Sequence, residues 1–148
     1  MTTKKKPKKV FVQGAISPEI IATSIAHHQV KTNIGAHDIF LGQVRADEIE
    51  GKVVQGIDYS AYEEMAEQKF YEIREAAFEK FDLTCMHIYH SLGPVKAGEI
   101  CLFVFTSSKH RNMAMDACRF LVEEIKANVP VFGKEIFEDQ TYQWKVNH

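Results

Sequence analysis

The sequence predicts an α+β domain, with helices packed against one largely antiparallel sheet. Three observations carry this. Strand-like and helix-like segments follow one another as β-α-β-β-α-β-β-α-β-β, with adjacent strands joined by short turns, the arrangement of antiparallel neighbours. Two long segments repeat apolar residues at helical spacing, one from Glu63 to Phe81 and one opened by His110-Arg111 and ended at Asn128 to Pro130. Between them, Ile100 to Phe105 is apolar at every position, as a central strand covered on both faces must be.

Val10 to Gln13 reads as a short strand. Ser17-Pro18-Glu19 then starts a helix, with serine as N-cap, proline at the first helical position and an acid in the first turn. Ile21, Ile25 and His28 share one face of that helix, and Asn33 to Gly35 is a turn. Ala36 to Val44 is a strand, and the polar run Arg45 to Gly51 a loop. Val53, Ile57, Tyr59 and Ala61 largely alternate with polar or small residues, which predicts a half-buried strand. In the first long helix Ala66, Phe70, Ile73, Ala77 and Phe81 face inward. Thr84 to His90 is a strand, closed by turns at Gly93-Pro94 and Ala97-Gly98. The last helix turns Ala114, Ala117, Leu121 and Ile125 inward, and short strands around Glu135 to Phe137 and Tyr142 to Val146 complete the chain.

At 148 residues the simplest organisation is one domain, residues 10–148, behind a basic, disordered arm at residues 1–9. Five of the 18 basic residues lie between Lys4 and Lys9, so the rest of a chain with net charge −2 is distinctly acidic. An acidic body binds phosphate backbones poorly, which argues against nucleic acid as the main partner. No apolar run reaches membrane-spanning length, and the N-terminus lacks the apolar core of a signal peptide. Three widely spaced cysteines, Cys85, Cys101 and Cys118, suit neither a metal motif nor a disulfide framework, and a cytoplasmic setting is expected.

The chemistry-bearing residues are cations. Arg45 stands where a strand gives way to a loop, placed either to offer its planar fork to a phosphate or carboxylate or to be an ordinary solvated charge. His110-Arg111 opens a helix, where acids are the usual choice. A cationic pair there suits an anion seated over the free N–H groups, or is simply exposed. Lys126 sits in the last turn, where lysine complements the carbonyl end, and Lys134 follows in a short connection. A lysine becomes an acid, base or nucleophile when burial or neighbouring cations depress its pKa. Yet Arg111 and Lys126 should lie roughly 22 Å apart along the helix axis, at about 1.5 Å of rise per residue. Either the two ends serve different purposes or the site is assembled from two chains.

Other patterns carry less. His87 and His90, three apart on a strand, face opposite sides and cannot share a metal. His27-His28 has no Cys or carboxylate at ligand spacing, and no Gly-rich phosphate loop is present. Ser107-Ser108 lacks the turn of an elbow nucleophile, and the cysteines sit among apolar neighbours as inert thiols.

Taken together, FLGQVR (Phe40 to Arg45), YSAYEEM (Tyr59 to Met65), HSLGPVKAGE (His90 to Glu99), TSSKHR (Thr106 to Arg111) and EEIKANVPVFGKE (Glu123 to Glu135) resemble the large, catalytic subunit of molybdopterin synthase. The motifs occur in that family's order and cover most of the chain from Phe40 to Trp144. The resemblance implies the α/β-hammerhead fold and a sulfur transfer to cyclic pyranopterin monophosphate that forms the dithiolene of molybdopterin. The sulfur arrives as a thiocarboxylate on the C-terminal Gly-Gly of a small ubiquitin-like carrier subunit. No metal or organic cofactor is implied, and the catalytic subunit is a homodimer within a heterotetramer. By position, Lys126 matches the principal catalytic lysine, with Lys134 assisting. Gln43, Val44, Arg45, His110, Arg111, Lys126, Lys134 and Glu135 form the implied substrate-binding set. Aligned without gaps, Gly133 occupies the position of the family's second lysine and Lys134 that of its basic neighbour, and Gln43 stands where a basic residue is frequent. His110-Arg111 of one chain is expected to join Arg45 and Lys126 of the other. The alternative functions are another acyl- or sulfur-handling activity on an anionic substrate, and a non-catalytic module that docks a polyanion through its basic arm.

Overall fold

The structure is a computed structural model describing residues 9–146, so the basic arm, apart from Lys9, lies outside the described residues. Eight strands and three helices follow in the order β1 (Phe11–Gln13), α1 (Pro18–Gln29), β2 (Ala36–Gln43), β3 (Glu48–Ile49), β4 (Lys52–Ala61), α2 (Glu63–Lys80), β5 (Cys85–Lys96), β6 (Ile100–Ser108), α3 (Arg111–Asn128), β7 (Val131–Phe137) and β8 (Tyr142–Trp144). Each predicted helix forms. Ser17 caps α1 through its hydroxyl, which accepts from the Glu19 N–H at 3.2 Å.

The strands run in the order β2-β6-β5-β4-β7-β8, with β1 beside β5 and β3 beside β4. All pairings are antiparallel except β1 with β5, so the α+β expectation is met. The central strand β6 shows why its sequence is apolar throughout. Leu102 and Val104 pack with Phe70 of α2 and Leu121 of α3 on one face, while Phe103 and Phe105 pack with Ile16, Ile21 and Ile25 on the other.

Two expectations need correcting. Gly93-Pro94 is not a turn; it lies inside β5, which pairs with β6 from Cys85 to His90 and with β4 from Gly93 to Lys96. Gly93, at φ +79°, lets one strand bend from the first partner to the second, and proline suits an extended backbone that needs no N–H there. The reversal comes instead at Ala97-Gly98. The polar run 45–51 also holds the two-residue strand β3, which folds back on β4.

The handover by β5 positions the site. It carries β4, β7 and β8 away from the large core as a second wing, with its own cluster of Val44, Ile57, Val95 and Cys101. The last turn of α3 reaches this wing. Val129 closes the helix by donating to the Ile125 carbonyl at 3.2 Å, Pro130 stops it, and β7 begins at once beside Ala61.

Candidate active site

Where α3 meets the second wing, a pocket of about 320 Å³ opens among Tyr59, His90, Lys126, Gly133, Trp144 and Lys145, with Ile125, Val129 and Val131 behind them. Strand register decides which side chains face it. Tyr59 lies opposite Gly133 and Ile57 opposite Glu135 across β4 and β7, while Glu135 lies opposite Gln143 across β7 and β8. These residues share one face of the wing. Asp58 and Lys134, each one step along, share the other, while Trp144, paired with Lys134, still borders the pocket.

Lys126 enters the pocket from the end of α3. Desolvation pushes its amine below the ordinary lysine range; Cys101 works against that shift and the Lys145 ammonium adds to it. Lys126 remains exposed as a residue, so this amine gives up its proton more readily while staying reachable from solvent.

Two of the walls, His90 and Tyr59, are neutral. Burial holds the His90 pKa down at about 4, and Lys126 adds to the lowering. His90 Nδ1 lies 2.8 Å from the Ser91 carbonyl oxygen, which can only accept, so Nδ1 carries the proton and Nε2 is the acceptor nitrogen. Its ring meets Tyr59 edge-on at 5.3 Å. The Tyr59 phenol is kept protonated, chiefly by desolvation, then by Cys101 and Glu135. Glu135 is buried, and one of its oxygens accepts from Gln143 Nε2 at 3.2 Å.

The remaining candidates lie elsewhere on the chain, and none of them lines the pocket. Gln43 and Arg45 are exposed beyond the bulge that ends β2, and the buried Val44 between them anchors the segment in the second wing. Arg45 pairs with Asp47 at 3.2 Å, a solvated contact worth about 0–1 kcal/mol and readily given up to a stronger anion. His110 is the N-cap of α3 and makes no side-chain capping bond, and no acid occupies the first turn. His110 and Arg111 are both exposed there, so this N-terminus is open to an anion. They stand at the opposite end of an 18-residue helix from Lys126, as the sequence required.

Lys134 is placed apart from Lys126. Its ammonium lies 4.2 Å from the Tyr142 ring centroid and 5.5 Å from that of Trp144, on the face of β7 turned from Tyr59 and Gly133. The glycine at 133 does not rotate it inward, because continuous pairing with β4 and β8 holds the alternation of β7. Lys134→Ala is therefore expected to keep turnover in the implied sulfur transfer within about twofold of wild type, as for a half-buried side chain that faces away from the pocket. A loss of tenfold or more in steady-state kinetics would return Lys134 to the site.

Tyr59, His90 and Lys145 were missed as site residues by sequence reasoning. Tyr59 and His90 sit in quoted motifs, but as a strand tyrosine and a strand histidine they read equally as core. For Lys145 the signal was pairing: a β7–β8 hairpin places position 145 across from position 133.

Comparison with known proteins shows the family. The family model described as MoaE protein matches residues 15–128. The chain belongs to the MoaE family. A molybdopterin synthase catalytic subunit from Pyrococcus abyssi is 35% identical over 135 residues, 91% of this chain and 84% of that one. One from Oryza sativa is 40% identical over 113 residues, 76% of this chain and 58% of its own length. Among solved structures, molybdopterin synthase from Staphylococcus aureus superposes with a TM-score of 0.79 at 31% identity, covering 93% of this chain and 96% of that one. A complex of subunits 1 and 2 of the molybdopterin-converting factor from Helicobacter pylori gives 0.78 at 21% identity, covering 91% and 88%, a likeness of fold. The MoaE match ends with α3, before Gly133 and Lys145.

Proposed function

We infer that this MoaE-family chain is the catalytic subunit of a molybdopterin synthase. It takes sulfur from the thiocarboxylated C-terminal Gly-Gly tail of a small ubiquitin-like carrier subunit. It installs that sulfur on cyclic pyranopterin monophosphate, forming the molybdopterin dithiolene in molybdenum cofactor biosynthesis. The observation that carries this reading is the pocket at the end of α3, where a depressed lysine stands over neutral Tyr59 and His90. Such an amine serves acyl and thioacyl chemistry: it shuttles protons as an acid/base, or attacks the carrier's terminal carbonyl as a transient nucleophile. The attack forms a C–N bond as the C–S bond breaks and the sulfur passes to the substrate, and water then hydrolyses the amide to free the lysine. The reaction needs no reactive cysteine from this chain, and Cys85, Cys101 and Cys118 are free and buried. Unpaired thiols also suit a cytoplasmic setting.

Arg45, flanked by Gln43 and Val44, holds the substrate phosphate, together with His110 and Arg111. Since α3 separates that pair from Lys126 by roughly 22 Å, the pair belongs to the pocket of a second copy. The working unit is then a homodimer with one carrier at each end, a heterotetramer. Glu135, buried and held by Gln143, completes the substrate-binding set from β7.

The deciding experiment mixes the protein with a thiocarboxylated carrier and cyclic pyranopterin monophosphate. Dithiolene formation, read by conversion to a fluorescent pterin derivative, is the expected result. Absence of product with an active carrier would overturn the reading.

A further inference from the structure

The pocket's second cation comes from a segment that no motif marks. Lys145 follows β8 and donates its backbone N–H to the Gly133 carbonyl at 2.7 Å, extending the β7–β8 ladder by one pair. Residues directly opposite in an antiparallel pair project to the same face, so Lys145 stands beside the place a side chain at 133 would take. Glycine at 133 relieves a crowded contact with Ile57 and leaves the pocket floor beside Lys145 without a side chain. A Cβ at position 133 would lie 3.0 Å from Ile57 Cγ2, 3.4 Å from Tyr59 Cε1 and 3.7 Å from the Lys145 Cβ. The space over Gly133 is thus the space beside which the half-buried Lys145 runs.

Among the described residues lining the pocket, Lys126 and Lys145 are the two basic amines, and burial holds His90 neutral. The other titratable groups facing Lys126 are Tyr59 on β4, His90 on β5 and Cys101 on β6, with Glu135 of β7 behind Tyr59. None of these is a cation. Lys145 alone can both repel a proton from Lys126 and attract an incoming carboxyl-terminal anion.

We propose that Lys145 is the second functional amine of this pocket, supplied across the β7–β8 pair from the position opposite Gly133. Its ammonium holds the anionic end of the carrier tail and keeps Lys126 available as a neutral amine. The role in catalysis rests on the sulfur-transfer reading; the electrostatic coupling of the two lysines does not.

Two measurements separate these. Competitive amine labelling of Lys126 across pH, read by mass spectrometry, needs neither carrier nor substrate. In Lys145→Met, Lys126 is expected to become reactive only at higher pH than in wild type, because a neighbouring cation that favoured deprotonation is gone. Lys145→Arg keeps the charge and should leave the titration where it was. Identical titration in all three overturns the coupling.

In the reconstituted synthase, Lys145→Met is expected to lower turnover by about a hundredfold, as for loss of one preorganised electrostatic contact. The rising limb of its pH–rate profile should move to higher pH and its KM for the carrier should increase, with Lys145→Arg restoring most of both. A merely structural lysine would leave the limb in place. Wild-type turnover in Lys145→Met, beside a dead Lys126→Ala, would overturn the catalytic role alone. An inactive wild type would instead count against the sulfur-transfer reading, leaving the labelling result to decide the coupling.

Discussion

Lys126→Ala is expected to cut dithiolene formation by roughly 10²–10⁴-fold, the range for removing a positioned acid/base group. The loss should appear in turnover more than in carrier binding, because the carrier meets a whole surface and only its tail reaches this amine. Fold stability should barely change. A lysine in the last helical turn contributes about 0.3–1 kcal/mol through the helix dipole, so denaturation midpoints of the variant and wild type should nearly coincide. Lys126→Arg separates chemistry from charge. A guanidinium preserves the helix-end cation but does not deprotonate near neutral pH, so it should be almost as inactive as alanine if the neutral amine is what matters. Turnover within tenfold of wild type for Lys126→Ala would remove this residue from the chemical step.

The second large effect concerns the shared site. Arg111→Ala and Lys126→Ala should each be severely impaired as homodimers, since every pocket in them lacks one component. When the two variants are co-expressed with different tags and the heterodimer is isolated through both, one pocket regains its full set: Lys126 from the Arg111→Ala chain and Arg111 from the Lys126→Ala chain. About half of wild-type activity is then expected, one intact site in two. No other arrangement predicts recovery from two defective chains. Were the sites contained within single chains, the heterodimer would hold two defective pockets and stay as inactive as its parents. Activity no greater than the mean of the two homodimers would show that α3 does not link two active sites.

Much of this was legible in the sequence because the relevant signals are local. The Ser17-Pro18-Glu19 start of α1, the inward stripe of α3 and the doubly apolar β6 each depend on residues a few positions apart, and each forms as expected. The bend at Gly93 was read as a turn because glycine beside proline marks a change of direction without saying whether pairing continues. Here β4 takes over where β6 leaves off, and the strand runs on. Lys134 illustrates a sharper limit. Motif alignment places it within one residue of the family's second lysine, yet in a strand one residue is the difference between two faces.

What the sequence determined by itself was the fold class, the family, the amine at the end of α3, and the distance that keeps this amine from His110 and Arg111. The fold class and the distance follow from periodicity and the constant rise of a helix, while the family and the role of that amine follow from the resemblance carried by the ordered motifs. Only the tertiary structure decided which lysines share a pocket. Lys126 and Lys145 are remote in sequence and lie on different elements. They meet because β7 turns back from the end of α3 and β8 pairs beside it, with Gly133 opposite Lys145. Cross-strand register is a property of the paired sheet, fixed when the hairpin closes. That is why Lys145 passed unnoticed in the sequence, and why Lys134 lies over Tyr142 and Trp144 on the opposite face.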